Sequence, residues 1–136
     1  MALFYVDSSA LVKLVRDEPE SGALRAFVAG ADLVSCELVL TEIPRAIRRF
    51  AERDPTLLER LIVRCGELVD AVALLPVDRT ILLAAGALEG AFLRALDAIH
   101  VVAAIDLSPL DAFVSYDERQ TAAARLAGIR TVTPGA

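Results

Sequence analysis

Leu3-Phe4-Tyr5-Val6-Asp7-Ser8-Ser9-Ala10-Leu11-Val12-Lys13-Leu14-Val15 is the stretch on which the fold turns. Its first four residues are a continuous apolar run of strand formers, and Ala10, Leu11, Leu14 and Val15 then recur at helical spacing. An apolar run without alternation is a strand covered on both faces, as in a parallel sheet. Asp7 therefore ends the strand at its carboxyl end, the edge at which open α/β sheets bind ligands. The same plan returns in Ala112-Phe113-Val114-Ser115-Tyr116, with Asp117 next and a helical run from Glu118 to Ala127 that Gly128 stops.

Working outward, a helix is expected from Glu20 to Ala29, a strand over Asp32 to Ser35, and a helix from about Thr41 to Arg53. In that last helix Ile43, Ala46, Ile47 and Phe50 share one face. The Pro44 ring would clash with the carbonyl four residues back, so the helix either starts near Thr41, which puts Pro44 in its first turn, or kinks there; the start is preferred. Asp54-Pro55-Thr56 opens a helix to about Leu68, and Ala71 to Leu75 reads as a strand ended by Pro76. Helical patterns follow over Arg79 to Leu88 and Leu93 to Ile105, and Arg130 to Thr133 makes a last short strand. Strands alternating with helices throughout predict a three-layer α/β/α sandwich with a central parallel sheet. With 136 residues, 56% of them hydrophobic, the expectation is a single domain over residues 1–136 with a core that needs no staples.

Composition excludes several classes. Lys13 is the only lysine and no Gly-Lys pair exists, so a nucleotide-binding P-loop is absent; no G-x-G-x-x-G fingerprint follows a strand either. The most apolar stretch, Ala71 to Leu88, is broken by Pro76, Asp78 and Arg79, which predicts no membrane span. Met1 to Val6 lacks a basic flank and meets Asp7 too early for a secretory signal, so a cytoplasmic protein is expected. Cys36 and Cys65 match no zinc spacing and read as free thiols. The net charge of −5 repels nucleic acid as a whole, so any such contact must be local.

Four carboxylates carry the chemistry. Asp7 and Asp117 each suit a helix N-cap, yet their equivalent places also bring them to one sheet edge. Asp97 lies in a helix apolar almost all round, where a carboxylate either pairs with Arg94 or faces a cleft in which a cation offsets its charge; the cleft is preferred. Glu42 borders the apolar face of its helix, one turn from Arg45. Carboxylates that converge repel by roughly 3 kcal/mol per pair at about 5 Å and an effective dielectric of about 20. A hard divalent cation relieves that repulsion. All-oxygen ligands suit Mg²⁺ or Mn²⁺, while a single histidine and scattered cysteines argue against zinc. His100 reads as a packed or supporting side chain, since metal-assisted hydrolysis needs no imidazole. Arg45, Arg48, Arg49 and Arg53 form a solvated face that is also the best local phosphate-binding candidate.

Tyr5-Val6-Asp7-Ser8-Ser9-Ala10-Leu11-Val12-Lys13-Leu14, Thr41-Glu42, Leu96-Asp97-Ala98-Ile99-His100 and Phe113-Val114-Ser115-Tyr116-Asp117 together resemble the PIN domain, in order and across nearly the whole chain. Within that family it resembles a VapC-type toxin nuclease. The resemblance implies a strand order of 3-2-1-4-5 and a metal-dependent ribonuclease whose acidic cluster maps onto Asp7, Glu42, Asp97 and Asp117. It implies that Ser9 and Ser115 orient the carboxylates or water, and it fits Mg²⁺ or Mn²⁺ as the cofactor; Arg45, Arg48 and Arg49 of the basic cluster are the candidates to meet the substrate. The implied partners are an RNA substrate, a small cognate antitoxin with a basic tail, and a second copy of the chain. The rival reading is a non-catalytic module whose acidic pocket receives a basic segment of a partner.

Overall fold

The computed structural model describes residues 1–90 and 92–136. Strands β1 (Leu3–Val6), β2 (Asp32–Cys36), β3 (Ala73–Leu75), β4 (Ala112–Val114) and β5 (Thr131–Val132) form one all-parallel sheet in the order β3-β2-β1-β4-β5. The central strand is β1, with Tyr5 paired to Val34 on one side and to Phe113 on the other. Both faces of the sheet are covered, which is why the apolar run at Leu3 does not alternate with polar residues.

Successive side chains of β1 serve opposite layers. Phe4 and Val6, with Ala112 and Val114, pack against Leu11, Leu24, Ile43, Ile47 and Leu61 from helices α1 (Ser8–Val15), α2 (Ser21–Val28), α3 (Val39–Ala51) and α4 (Leu58–Asp70). Tyr5 and Phe113 stack, ring centroids 5.2 Å apart, in the other layer, under α5 (Arg79–Ala87), α6 (Ala95–Leu107) and α7 (Glu118–Leu126). A single 3₁₀ turn, Pro55–Leu57, precedes α4. Among the described residues no helix is long and apolar enough to cross a membrane.

One local expectation is corrected. Helix α3 begins at Val39, two residues before Thr41, so Pro44 stands inside it and not in its first turn. The helix tolerates this because the acceptor left without Pro44's N–H is the carbonyl of Leu40, an exposed residue on the first turn. The buried pair Ile43 and Ile47 holds α3 against the sheet. Truncating that contact, Ile47→Ala, is expected to cost roughly 2–5 kcal/mol in a urea unfolding curve, with the slope unchanged.

The strands are also shorter at some ends than their apolar runs: β3 begins at Ala73 and β4 stops at Val114. At β4 the cause is visible. The Ser115 N–H still reaches the Val132 carbonyl at 3.4 Å, but the Tyr116 N–H donates to the Ser9 hydroxyl and not to a neighbouring strand.

Candidate active site

Strands β1 and β4 are neighbours, so the residues just beyond them meet: the Asp7 N–H donates to the Val114 carbonyl at 3.2 Å. Asp7 caps α1 and is fully buried. Its Oδ1 accepts from the Ala10 N–H at 3.0 Å and the Ser9 hydroxyl at 2.7 Å, and its Oδ2 accepts from the Ser115 hydroxyl at 2.5 Å. Burial raises the Asp7 pKa above the usual carboxylate range; His100 and these hydrogen bonds act in the opposite direction without cancelling it. The leading cause is therefore lost hydration, not repulsion from neighbouring carboxylates.

Asp117 caps α7 in the same manner, its Oδ1 accepting from the N–H groups of Arg119 at 2.9 Å and Gln120 at 3.2 Å. The two serines stitch the strand ends together. Ser115 Oγ accepts from the Asp117 N–H at 3.0 Å, and Ser9 Oγ accepts from the Tyr116 N–H at 2.9 Å. Both aspartates cap helices at the ends of adjacent strands.

Asp97 lies in the first turn of α6. Its Oδ1 accepts from the Gln120 amide at 3.1 Å, while its Oδ2 is buried with no hydrogen-bond partner. Arg94 makes no ion pair with it among the described residues. Glu42, in the first turn of α3, pairs not with Arg45 but with His100, whose Nε2 donates to Oε1 at 2.7 Å. His100 is fully buried and its Nδ1 meets the Tyr5 hydroxyl at 2.7 Å, with Cys36 Sγ at 3.7 Å. Burial works to lower the His100 pKa, but Cys36 and Glu42 outweigh it and raise the pKa above its ordinary value. Burial also raises the pKa of Tyr5, which keeps its hydroxyl proton.

An open cavity of ≈ 610 Å³ lies over these groups, with Ser9, Glu42, Asp97, Asp117 and Gln120 in its wall and Lys13, Arg16, Arg45 and Arg49 on its basic side. Asp7 sits behind Ser9 and does not line the cavity. Arg48, one residue round the helix from Arg49, does not line it either. The sequence reading places none of Lys13, Arg16 and Gln120 in the site. Gln120 carried one usable signal: it lies three residues after Asp117, on the first turn of the helix that Asp117 caps. The Lys13 ammonium pairs with Glu18 at 3.4 Å and Glu20 at 3.0 Å and lies 4.7 Å from the Tyr116 ring.

Among the described residues no three acidic, histidine or cysteine side chains stand together as a ready-made metal cage. The donor set nonetheless fits a hard cation in kind. It is all carboxylate and hydroxyl oxygen, and the buried, unpartnered Oδ2 of Asp97 is a negatively charged atom that lacks the compensation such an atom requires.

Comparison with known proteins agrees with this architecture. Residues 4–126 match the PIN domain family model. Ribonuclease VapC47 of Mycobacterium tuberculosis is 34% identical over 140 residues, which cover 98% of this chain and 98% of the relative. Ribonuclease VapC46 of the same species is 37% identical over 136 residues, covering 98% and 99%. The crystal structure of PAE2754 from Pyrobaculum aerophilum superposes with a TM-score of 0.66 at 18% identity, covering 96% of this chain and 84% of that one. VapBC2 from Rickettsia felis, solved bound to a DNA fragment from its promoter, superposes with a TM-score of 0.67 at 10% identity, covering 96% and 97%. These two structures share the fold. A family match over nearly all of the sheet and its carboxylate edge, with relatives this similar along their whole length, leaves one conclusion: the chain belongs to the PIN-domain family.

Proposed function

We propose that this protein is a ribonuclease dependent on Mg²⁺ or Mn²⁺ and the toxin of a toxin–antitoxin pair. The observation that carries the reading is Asp97 Oδ2, a buried carboxylate oxygen with no partner in a cavity wall shared with Glu42 and Asp117. The names of the full-length relatives support the choice of RNA as substrate.

Asp97, Glu42 and Asp117 would hold the cation from the cavity wall, with Asp7 behind them. When bound, such an ion acidifies a water molecule and offsets the negative charge that develops on the phosphoryl group. The chain's own groups supply orientation. Gln120 fixes one oxygen of Asp97, His100 fixes one oxygen of Glu42, and Ser9 and Ser115 fix both oxygens of Asp7. Arg45 and Arg49, on the basic side of the same cavity, are placed to draw in a phosphodiester despite the net negative charge.

The same uncompensated carboxylate would accept a basic side chain in place of a cation. A small antitoxin with an arginine in a basic tail would silence the site in that way. Cytoplasmic residence in a single-domain protein fits the two free thiols. Self-association into a homodimer is supported by Leu82, Leu83 and Leu126, which are large apolar side chains left exposed.

The test is incubation of purified protein with a pool of structured RNAs, with and without Mn²⁺, followed by sequencing of fragment ends. Cleavage at recurrent sites only with the metal is expected. Absence of cleavage with any divalent ion would instead favour the non-catalytic reading, in which the acidic cavity only receives a partner's basic segment.

A further inference from the structure

Where α1 packs on α3, two hollows adjoin. The carboxylate cavity shares Val12, Arg16, Ala46 and Arg49 with a second hollow of ≈ 320 Å³, completed by Phe50 and Arg53. Together they make one continuous groove that starts at Glu42, Asp97 and Asp117 and runs away from them towards the end of α3. Arg45, Arg49 and Arg53 recur every four residues and begin a row along it. Arg16, just after α1, faces them from the other wall.

Among the described residues most arginines of the chain make no ion pair; this groove differs in gathering four of them along one surface. Lys13 is paired with Glu18 and Glu20, and Arg25 with Asp17. Among the described residues Arg16, Arg45, Arg49 and Arg53 make no ion pair. The Arg16 guanidinium lies 3.6 Å from the centroid of the Phe50 ring, and its buried Nε has no hydrogen-bond partner. Stacking on a ring fixes the plane of an arginine without neutralising it. A protein of net charge −5 thus concentrates four uncompensated guanidinium groups along one groove that leads from its acidic centre. A chain of phosphates is the ligand that both ends of this groove can serve, since the carboxylate end needs a phosphodiester to act on and the arginine end needs anions.

We propose that the Arg16–Phe50–Arg53 hollow is a subsite for the RNA backbone on one side of the scissile bond, in which Arg16, Arg49 and Arg53 hold phosphates that are not cut. The proposal rests on the ribonuclease reading above. It assigns binding, and not chemistry, to these residues.

Fluorescence anisotropy of a labelled 12-nucleotide single-stranded RNA of mixed sequence, measured in EDTA so that no cleavage occurs, tests it. Arg53→Gln and Arg16→Gln are each expected to weaken binding about five- to tenfold in 0.1 M salt. Each should also lower the slope of log affinity against log salt by about 0.7, the amount for one lost single-strand phosphate contact. Arg130→Gln, at the opposite edge of the sheet beside Asp111, should change neither. Arg53 is exposed and makes no ion pair among the described residues, so its variant keeps the test valid if loss of the Arg16 stack harms folding. In Mn²⁺ the same variants should raise KM with little change in kcat. Folded Arg53→Gln and Arg16→Gln proteins with wild-type affinity and slope would overturn the proposal. So would losses that weaken binding of a decaglutamate peptide but not of RNA, since the groove would then serve an acidic protein segment. If the wild type cleaves RNA and the variants are unaffected, only the subsite falls; if the wild type cleaves no RNA with any divalent metal, the ribonuclease reading falls with it.

Discussion

Asp97→Asn is expected to lower metal-dependent RNA cleavage by roughly 10²-fold or more, the scale of effect when one charge-stabilising group is removed from a catalytic site. The substitution changes the side-chain volume very little and keeps an oxygen to accept from the Gln120 amide. What it removes is the charge on a buried oxygen that has no protein partner. A purely structural carboxylate would behave differently, because its replacement would break a pair that stabilises the fold. The expected signature is therefore loss of activity with a melting temperature equal to or above that of the wild type in EDTA. An Asp97→Asn protein that melts lower and cuts RNA at the wild-type rate would remove Asp97 from the site.

Asp7→Asn should separate stability from function more sharply still. Ionised Asp7 is fully buried, and burial holds its pKa above the unfolded value. A carboxyl whose folded pKa is raised binds its proton more tightly in the folded state, so stability falls as pH rises through the interval between the two values and stays lower at neutral pH. Asparagine has no charge to bury, and its amide can donate where Asp7 Oδ2 accepts from Ser115, with the serine hydroxyl reversing its role. In EDTA at pH 7 the variant should melt a few degrees above the wild type, the shift that about 1 kcal/mol produces in a chain of this size. The advantage should fade in acid, where Asp7 is protonated in both states. Added Mn²⁺ should reverse the order. A cation that binds only the folded state at about a hundredfold excess over its Kd adds about 2.7 kcal/mol to the wild type, and the variant should gain much less. Thermal unfolding of both proteins in EDTA and in Mn²⁺, at pH 7 and near pH 4, reads all of these signs. A variant that melts lower than the wild type in EDTA and responds fully to Mn²⁺ would show that Asp7 is only a cap.

The strand, aspartate and helix at Asp7 and again at Asp117 are legible in the sequence because each depends on local chemistry: an apolar run, a capping side chain and a helical period within about ten residues. Sheet order is not local, and it entered through the family resemblance; the structure has the same order, β3-β2-β1-β4-β5. The start of α3 was misplaced because Pro44 looks like a first-turn residue, whereas the cost of an interior proline falls on an exposed residue, Leu40. The supporting bonds were hidden for a different reason. His100 reaches Glu42 across 58 residues and Gln120 reaches Asp97 across 23, and no periodicity encodes such a meeting. Arg16 on Phe50 is a third contact of that kind. Arg45 and Arg49, by contrast, follow from their helical spacing once Glu42 faces the cavity, and the same spacing carries Arg48 off its wall.

The central claim is that the carboxylates at the ends of β1 and β4, with Glu42 and Asp97, form a metal-dependent hydrolytic centre for RNA. Single-turnover cleavage of one 5′-labelled RNA, with analysis of the fragment ends, tests it most directly. The expected result is cleavage in Mn²⁺, none in EDTA, and ends without a 2′,3′-cyclic phosphate, because water and not the neighbouring 2′-hydroxyl attacks phosphorus. Cleavage that persists in EDTA at an undiminished rate and leaves cyclic phosphate ends would contradict it.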